Sequence, residues 1–243
     1  MRILSVTEAE TLASKFRYQE GLGQSDPINA KTLIRKLNVT LVYRRLSESS
    51  FGISCRSGEK RFMLINSSST RGRQHFTIAH ELYHLYFDEA PTPHMCCGGP
   101  SIGEEKNANR FASALLMPRE GVLSCVSGEE IADHTVSVAT VFRMEQLFGV
   151  SHSTLLIRLK DLGLITSSRF EELDRLSVKE TARAWGYDSL LYEAGNEGVV
   201  IGDFGEKARR LFESGKISEG HYYELMNILY GCRGEENEDC TGC

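Results

Sequence analysis

The chain has 243 residues, of which 41% are hydrophobic and 25% charged, with a formal net charge of -5. That size and balance suit one large domain with one or two small appendages, and the acidic sign excludes a general coat for nucleic acid. No apolar run approaches the roughly 20 residues of a membrane span. The opening residues, Met1 to Glu10, turn acidic too early for a secretory signal, so the expected compartment is the cytoplasm. The seven cysteines (Cys55, Cys96, Cys97, Cys125, Cys232, Cys240 and Cys243) are odd in number, which argues for reduced thiols over a disulfide framework.

Ala9, Leu12, Ala13 and Phe16 recur at helical spacing behind Thr7, which predicts a helix over 7–20 with Thr7 as its cap. A loop over 21–27 follows, then a second helix opened by Pro27 or Asn29 and running through Leu37. This pair is expected to lie over a sheet. Val39 to Tyr43, Ser50 to Cys55 and Arg61 to Asn66 read as short strands, the last two joined at Gly58 as a hairpin. A free edge of that sheet would suit an extended peptide, added as one more strand. Residues 67–74 form a polar loop whose Arg71 and Arg73 read more readily as solvated charges than as carboxylate binders.

The most informative stretch runs from His75 to Asp88 and contains His80-Glu81-x-x-His84. Helix positions four apart share a face, so His80 and His84 can aim ring nitrogens at one zinc ion. Glu81 lies beside the first histidine and suits a general base acting on water. Phe76, Ile78, Ala79, Leu82, Leu85, Tyr86 and Phe87 surround these polar residues, so the helix is apolar on nearly every side. Buried polar groups without partners cost about 1–3 kcal/mol each, and a metal would satisfy all three.

Residues 90–100 hold three prolines and a glycine pair and predict an irregular loop at the mouth of the site. His94, Cys96 and Cys97 resemble ligands there, but adjacent cysteines chelate one zinc poorly. From Glu104 to Met117 a further helix ends at Pro118. Glu105, Ala108, Ala112 and Leu115 form its stripe, and the small alanines permit close approach. Glu105 is on the stripe and Glu104 is not, so Glu105 is the expected third ligand, the alternative being that both are ordinary helix N-terminal acids. Asn109, one turn on, is placed to hold His80 or His84.

Arg73-x-x-Phe76-Thr77-x-Ala79-His80-Glu81-Leu82-x-His84, preceded by Ile65-Asn66, resembles the ImmA/IrrE family of metallopeptidases. Glu105-x-x-Ala108-Asn109-x-Phe111-Ala112-x-x-Leu115-Leu116-Met117-Pro118 resembles its second block, and 148–165 also looks like the family. The resemblance covers about 30–165 and departs at Tyr83, where glycine is usual. It implies a gluzincin-like zinc peptidase: His80, His84 and Glu105 as metal ligands and Glu81 as the catalytic carboxylate. It also implies a helix-turn-helix transcriptional repressor, encoded nearby, as the protein substrate in a bacterial mobile element or stress response.

Residues 136–165 read as two helices about a tight turn at Gly149, a helix-turn-helix shape. Between 131 and 165, Arg143, Arg158 and Lys160 are balanced by Asp133, Glu145 and Asp161, which favours a structural or partner-docking unit over a DNA reader. Residues 167–231 predict helices and one strand around Val199 to Ile201, with Phe212, Leu225, Ile228 and Leu229 buried. They form an accessory region that recognises a partner or pairs two copies. Cys240-x-x-Cys243 ends an acidic stretch better suited to a tail than to a second metal site.

The expected fold class is therefore α+β. A minimal metallopeptidase core (1–125, a small sheet plus active-site helices) precedes a helix-turn-helix-like segment (126–166). A mostly helical C-terminal region (167–231) and a flexible tail (232–243) follow. The expected function is zinc-dependent endopeptidase, with Tyr83 and His94 as candidate oxyanion donors. The alternative is a regulator that binds a repressor or DNA without cutting it, its zinc purely structural and closed by a fourth protein ligand.

Overall fold

Backbone polar groups near Ser5 decide where the first helix starts. Ser5 Oγ accepts from the Glu8 amide at 3.2 Å while Glu8 accepts from the Ser5 amide at 2.8 Å. This reciprocal capping box starts α1 (Val6–Gln19) one residue earlier than expected and makes Ser5, not Thr7, the cap. α2 (Ala30–Lys36) is capped by Asn29. The computed structural model describes residues 2–47, 49–88, 94–97 and 103–230. The expected tail with Cys232, Cys240 and Cys243 lies outside the described residues.

β1 (Val39–Arg44), β2 (Ser50–Ser57) and β3 (Lys60–Asn66) occupy the predicted places. β2 and β3 form the hairpin about Gly58, whose φ of 58° suits glycine. α3 (Arg71–Phe87) follows, then β4 (His94–Cys97). β4 corrects the irregular reading of 90–100: it pairs antiparallel with β2, and ladder hydrogen bonds outweigh the nearby prolines, which fall outside its four residues. α4 (Glu104–Leu116), α5 (Arg119–Leu123) and α6 (Gly128–Ala132) come next. α7 (Val138–Phe148) and α8 (His152–Asp161) meet at Gly149, left-handed at φ 64°. α9 (Ser167–Asp174), α10 (Val178–Ala184) and a 3-10 turn (Ser189–Tyr192) lead to β5 (Val200–Ile201). α11 (Phe204–Glu213) and α12 (Glu219–Tyr230) close the described chain.

The sheet runs β4-β2-β3-β1-β5, with β1 parallel to β3 and the other pairs antiparallel. β2 is thus paired on both sides, and the edge nearest α3 is taken by β4. The 193–199 segment stitches the C-terminal region to the core: the Arg71 amide donates to Glu193 O and the Tyr43 amide to Val199 O, both at 2.9 Å.

One hydrophobic core extends from Ala13 through Val141, Leu155 and Leu173 to Ile201. Phe142, Ala182 and Tyr192 form a second, smaller cluster. α1 lies against α3 and α4 instead of the sheet: Phe16 meets the rings of Tyr86, Phe87 and Phe111 edge-on at 5.4–6.2 Å. α8 packs one face into the core, with Leu155, Leu156, Arg158 and Leu159 all buried, and leaves Ser153, Ile157 and Lys160 exposed. α11 buries only Ala208, and Phe212 is exposed where burial was expected; its ring stacks on Tyr222 of α12 at 4.9 Å. No helix among the described residues is long and apolar enough to cross a membrane.

Candidate metal centre

α3 is fixed at both ends before it presents any chemistry. Thr70 caps it, and the helix begins at Arg71, so Arg71 and Arg73 belong to its first turn instead of a polar loop. Arg71 donates to Leu190 O at 3.1 Å, and the Arg73 guanidinium lies 4.2 Å above the Phe51 ring, so neither is a freely solvated charge. α3 then crosses β2 at Gly52. A Cβ there would stand 2.7 Å from Thr77 Cγ2 and 3.1 Å from Glu81 Oε1, so glycine permits the close approach of strand and helix.

At the centre of α3, His80 Nε2 and His84 Nε2 face each other at 3.1 Å. α4 brings Glu105 to the same point: Oε2 is 3.4 Å from His80 Nε2 and Oε1 is 3.7 Å from His84 Nε2. Glu104, the neighbour, is exposed. Tetrahedral coordination with bonds of about 2.0–2.1 Å separates donor atoms by roughly 3.3–3.4 Å, and the observed spacings bracket that value. Ala108 and Ala112, fully buried on the same stripe of α4, allow the approach.

The second ring nitrogens are also held. His80 Nδ1 meets Asn109 Oδ1 at 2.9 Å, and His84 Nδ1 meets Asp88 Oδ2 at 2.5 Å. Both partners are acceptors, so each Nδ1 carries its hydrogen and each Nε2 directs a lone pair inward. Two lone pairs and a carboxylate converging in a buried place demand a cation. In the metal-free protein a proton meets that demand. Burial opposes charge on His80, but the Cys96 sulfur and the Glu105 and Glu81 carboxylates outweigh it and pull the imidazole up to about 10. Replacing Asn109 or Asp88 with alanine is expected to weaken metal affinity by about 10–100-fold without unfolding the chain. Competition titration against a chromophoric chelator measures this, and unchanged affinity in both variants would show that these contacts are incidental.

Glu81 is fully buried on the β2 side of the pair, and Ser54 Oγ donates to its Oε2 at 2.6 Å. Cys96 of β4 places its sulfur within 4.8 Å of donor atoms of His80 and Glu81. Of the other expected site residues, Tyr83 packs in the core, with ring centroids 5.6 Å from Phe87 and 5.8 Å from Phe111. Burial pushes its phenol up, and the side chain of Asn107 on α4 opposes that shift. The bulk that departs from the family pattern thus fills space between α3 and α4. The side chain of His94 lies outside the described residues. Sequence reasoning missed Asp88, although it stands four residues past His84 on one helix face, and Ser54, which shares its strand face with Gly52. It set Cys96 aside.

A comparison with protein families matches residues 34–160 to Peptidase_M78, the IrrE N-terminal-like domain. That is more than half of the chain, and it takes in α3 and α4 entire. The chain belongs to the ImmA/IrrE family of peptidases. No curated protein matched it. The ImmA/IrrE match ends at the last turn of α8, so the strap over 189–201 that holds α3 from outside lies beyond the shared domain. That strap includes Asn196, which donates to Gln74 of α3 at 2.7 Å.

Proposed function

We infer that the protein is a zinc-dependent endopeptidase whose ligands are His80, His84 and Glu105 and whose general base is Glu81. One observation carries this reading. Three electron-pair donors converge at 3.1–3.7 Å while both outer ring nitrogens are satisfied by acceptors. Two imidazoles and one carboxylate suit zinc and match the ligand set of catalytic sites that keep a position open. When bound, zinc supplies Lewis acidity for the scissile carbonyl and makes water acidic enough to lose a proton near neutral pH.

The chain's own residues do the rest. Glu81 accepts the proton of the attacking water and returns it to the leaving amine nitrogen. Ser54, donating to Oε2, orients that carboxylate. Asn109 and Asp88 lock the imidazoles in the tautomer that donates inward. The substrate class that fits the family reading is a helix-turn-helix repressor encoded nearby. Incubating purified protein with that repressor is expected to yield two fragments. A strong chelator should abolish the cut and added zinc restore it. Cleavage that persists after complete metal removal would rule the reading out.

A second reading has one observation in its favour. Cys96 is a neighbour of His80 and Glu81, and a non-cutting regulator would need such a fourth ligand to close a structural site. Persistent repressor control by a Glu81→Gln variant would favour it.

A further inference from the structure

Cys96 sits on the four-residue edge strand β4, whose register sets Cys96 opposite Gly52 and residue 94 opposite Ser54. Directly opposed residues of an antiparallel pair project to one face. Ser54 projects toward α3, since its hydroxyl reaches Glu81. Cys96 shares that face, above a residue that has no side chain of its own. Its sulfur lies in one cluster with donor atoms of His80 and Glu81, all within 4.8 Å. Cys96 is 7% exposed, His80 1% and Glu81 0%. A general base must meet water and a peptide bond to act, and on the β4 side Glu81 and His80 are covered, while Glu105 of the same centre is 31% exposed.

We propose that the Cys96 thiolate completes the coordination of the metal in the resting protein and keeps the open position from water and substrate until β4 leaves the β2 edge. The proposal rests on the peptidase reading and adds a means of control to it. Catalytic zinc sites have three protein donors and closed ones have four, and thiolate is a favoured fourth at about 2.3 Å. Ligation releases the thiol proton to solvent, and no covalent bond of the chain changes. β4 suits the task because it is short and, among the described residues, pairs with β2 alone. An extended substrate would bind by pairing with that same β2 edge, so thiol departure and substrate access become one event.

The test uses the full-length protein loaded with Co2+, read by absorption. Thiolate ligation gives a sulfur-to-cobalt charge-transfer band in the near ultraviolet, and the weaker visible bands report the site whatever its fourth ligand. The wild type is expected to show both. Cys96→Ser is expected to lose the charge-transfer band while still binding one cobalt per chain, and Cys55→Ser, Cys97→Ser and Cys125→Ser are expected to keep it. Cys96→Ala, checked by circular dichroism, repeats the measurement should the serine variant fold poorly. A charge-transfer band that survives in both Cys96 variants, or is missing from a wild type with one cobalt per chain, overturns the proposal and leaves the peptidase reading standing. A wild type that binds no cobalt overturns both.

Discussion

Glu81→Gln is expected to keep its metal and lose its cutting. The change removes one basic oxygen and little volume, so His80, His84 and Glu105 stay in place. General acid–base catalysis contributes about 10²–10⁴-fold, and cleavage of the repressor should fall by that factor at saturating substrate. The amide keeps one oxygen for the Ser54 hydroxyl, which donates at 2.6 Å in the wild type, so the fold should hold. Rates come from fragment quantification by mass spectrometry, beside metal content on the same sample. Activity within a few-fold of wild type would remove Glu81 from the mechanism. Loss of metal with the activity would make it a ligand instead of a base.

The second large effect concerns stability, away from the metal. Glu145 on α7 is fully buried. It accepts from His152 Nδ1 at 2.5 Å and from the Tyr192 hydroxyl at 2.6 Å, while His152 Nε2 meets Leu173 O at 2.9 Å. One carboxylate thus joins α7, α8, α9 and the turn before β5. Glu145→Ala strands a buried imidazole and a buried phenol. Breaking a buried charge pair from one side costs about 3–5 kcal/mol, which for a chain of this size lowers Tm by on the order of 10 °C.

The pH dependence of that effect has a definite sign. Burial opposes charge on His152, but the Glu145 carboxylate outweighs it and raises the imidazole above its ordinary value near 6.5. The pair's contribution is therefore fully present below about 6.5 and is lost as pH rises through the folded value. The Tm gap between wild type and Glu145→Ala should be widest in mild acid and narrow with alkali, without closing, because Tyr192 still donates. A gap that widens with pH would contradict the assigned charge state.

Much of the site was legible in the chain because helical spacing is rigid. His80 and His84 lie one turn apart with Glu81 beside the first, and Glu105 was chosen over Glu104 by the stripe it shares with Ala108 and Ala112. That choice matches the geometry, in which Glu105 meets both histidines and Glu104 faces out. Asn109 followed from the same periodicity. Contacts made across the sheet were not legible. Ser54 reaches the site because β2 packs against α3, and Cys96 because β4 pairs with β2 in one register; a four-residue strand near prolines carries little local signal. The strap from 193 to 199 was hidden for a related reason: its bonds to Tyr43 and Arg71 span more than a hundred residues. The Glu145–His152 pair was not legible either, because a buried ion pair shows in sequence only as two polar letters.

The central claim is that His80, His84 and Glu105 hold one metal ion, and its most direct measurement is elemental mass spectrometry on gently purified protein. About one zinc per chain is expected in the wild type and in Glu104→Ala, with loss of most of it in His80→Ala and Glu105→Ala. A wild type without metal, or a Glu105→Ala variant that keeps a full complement while Glu104→Ala loses it, would contradict it.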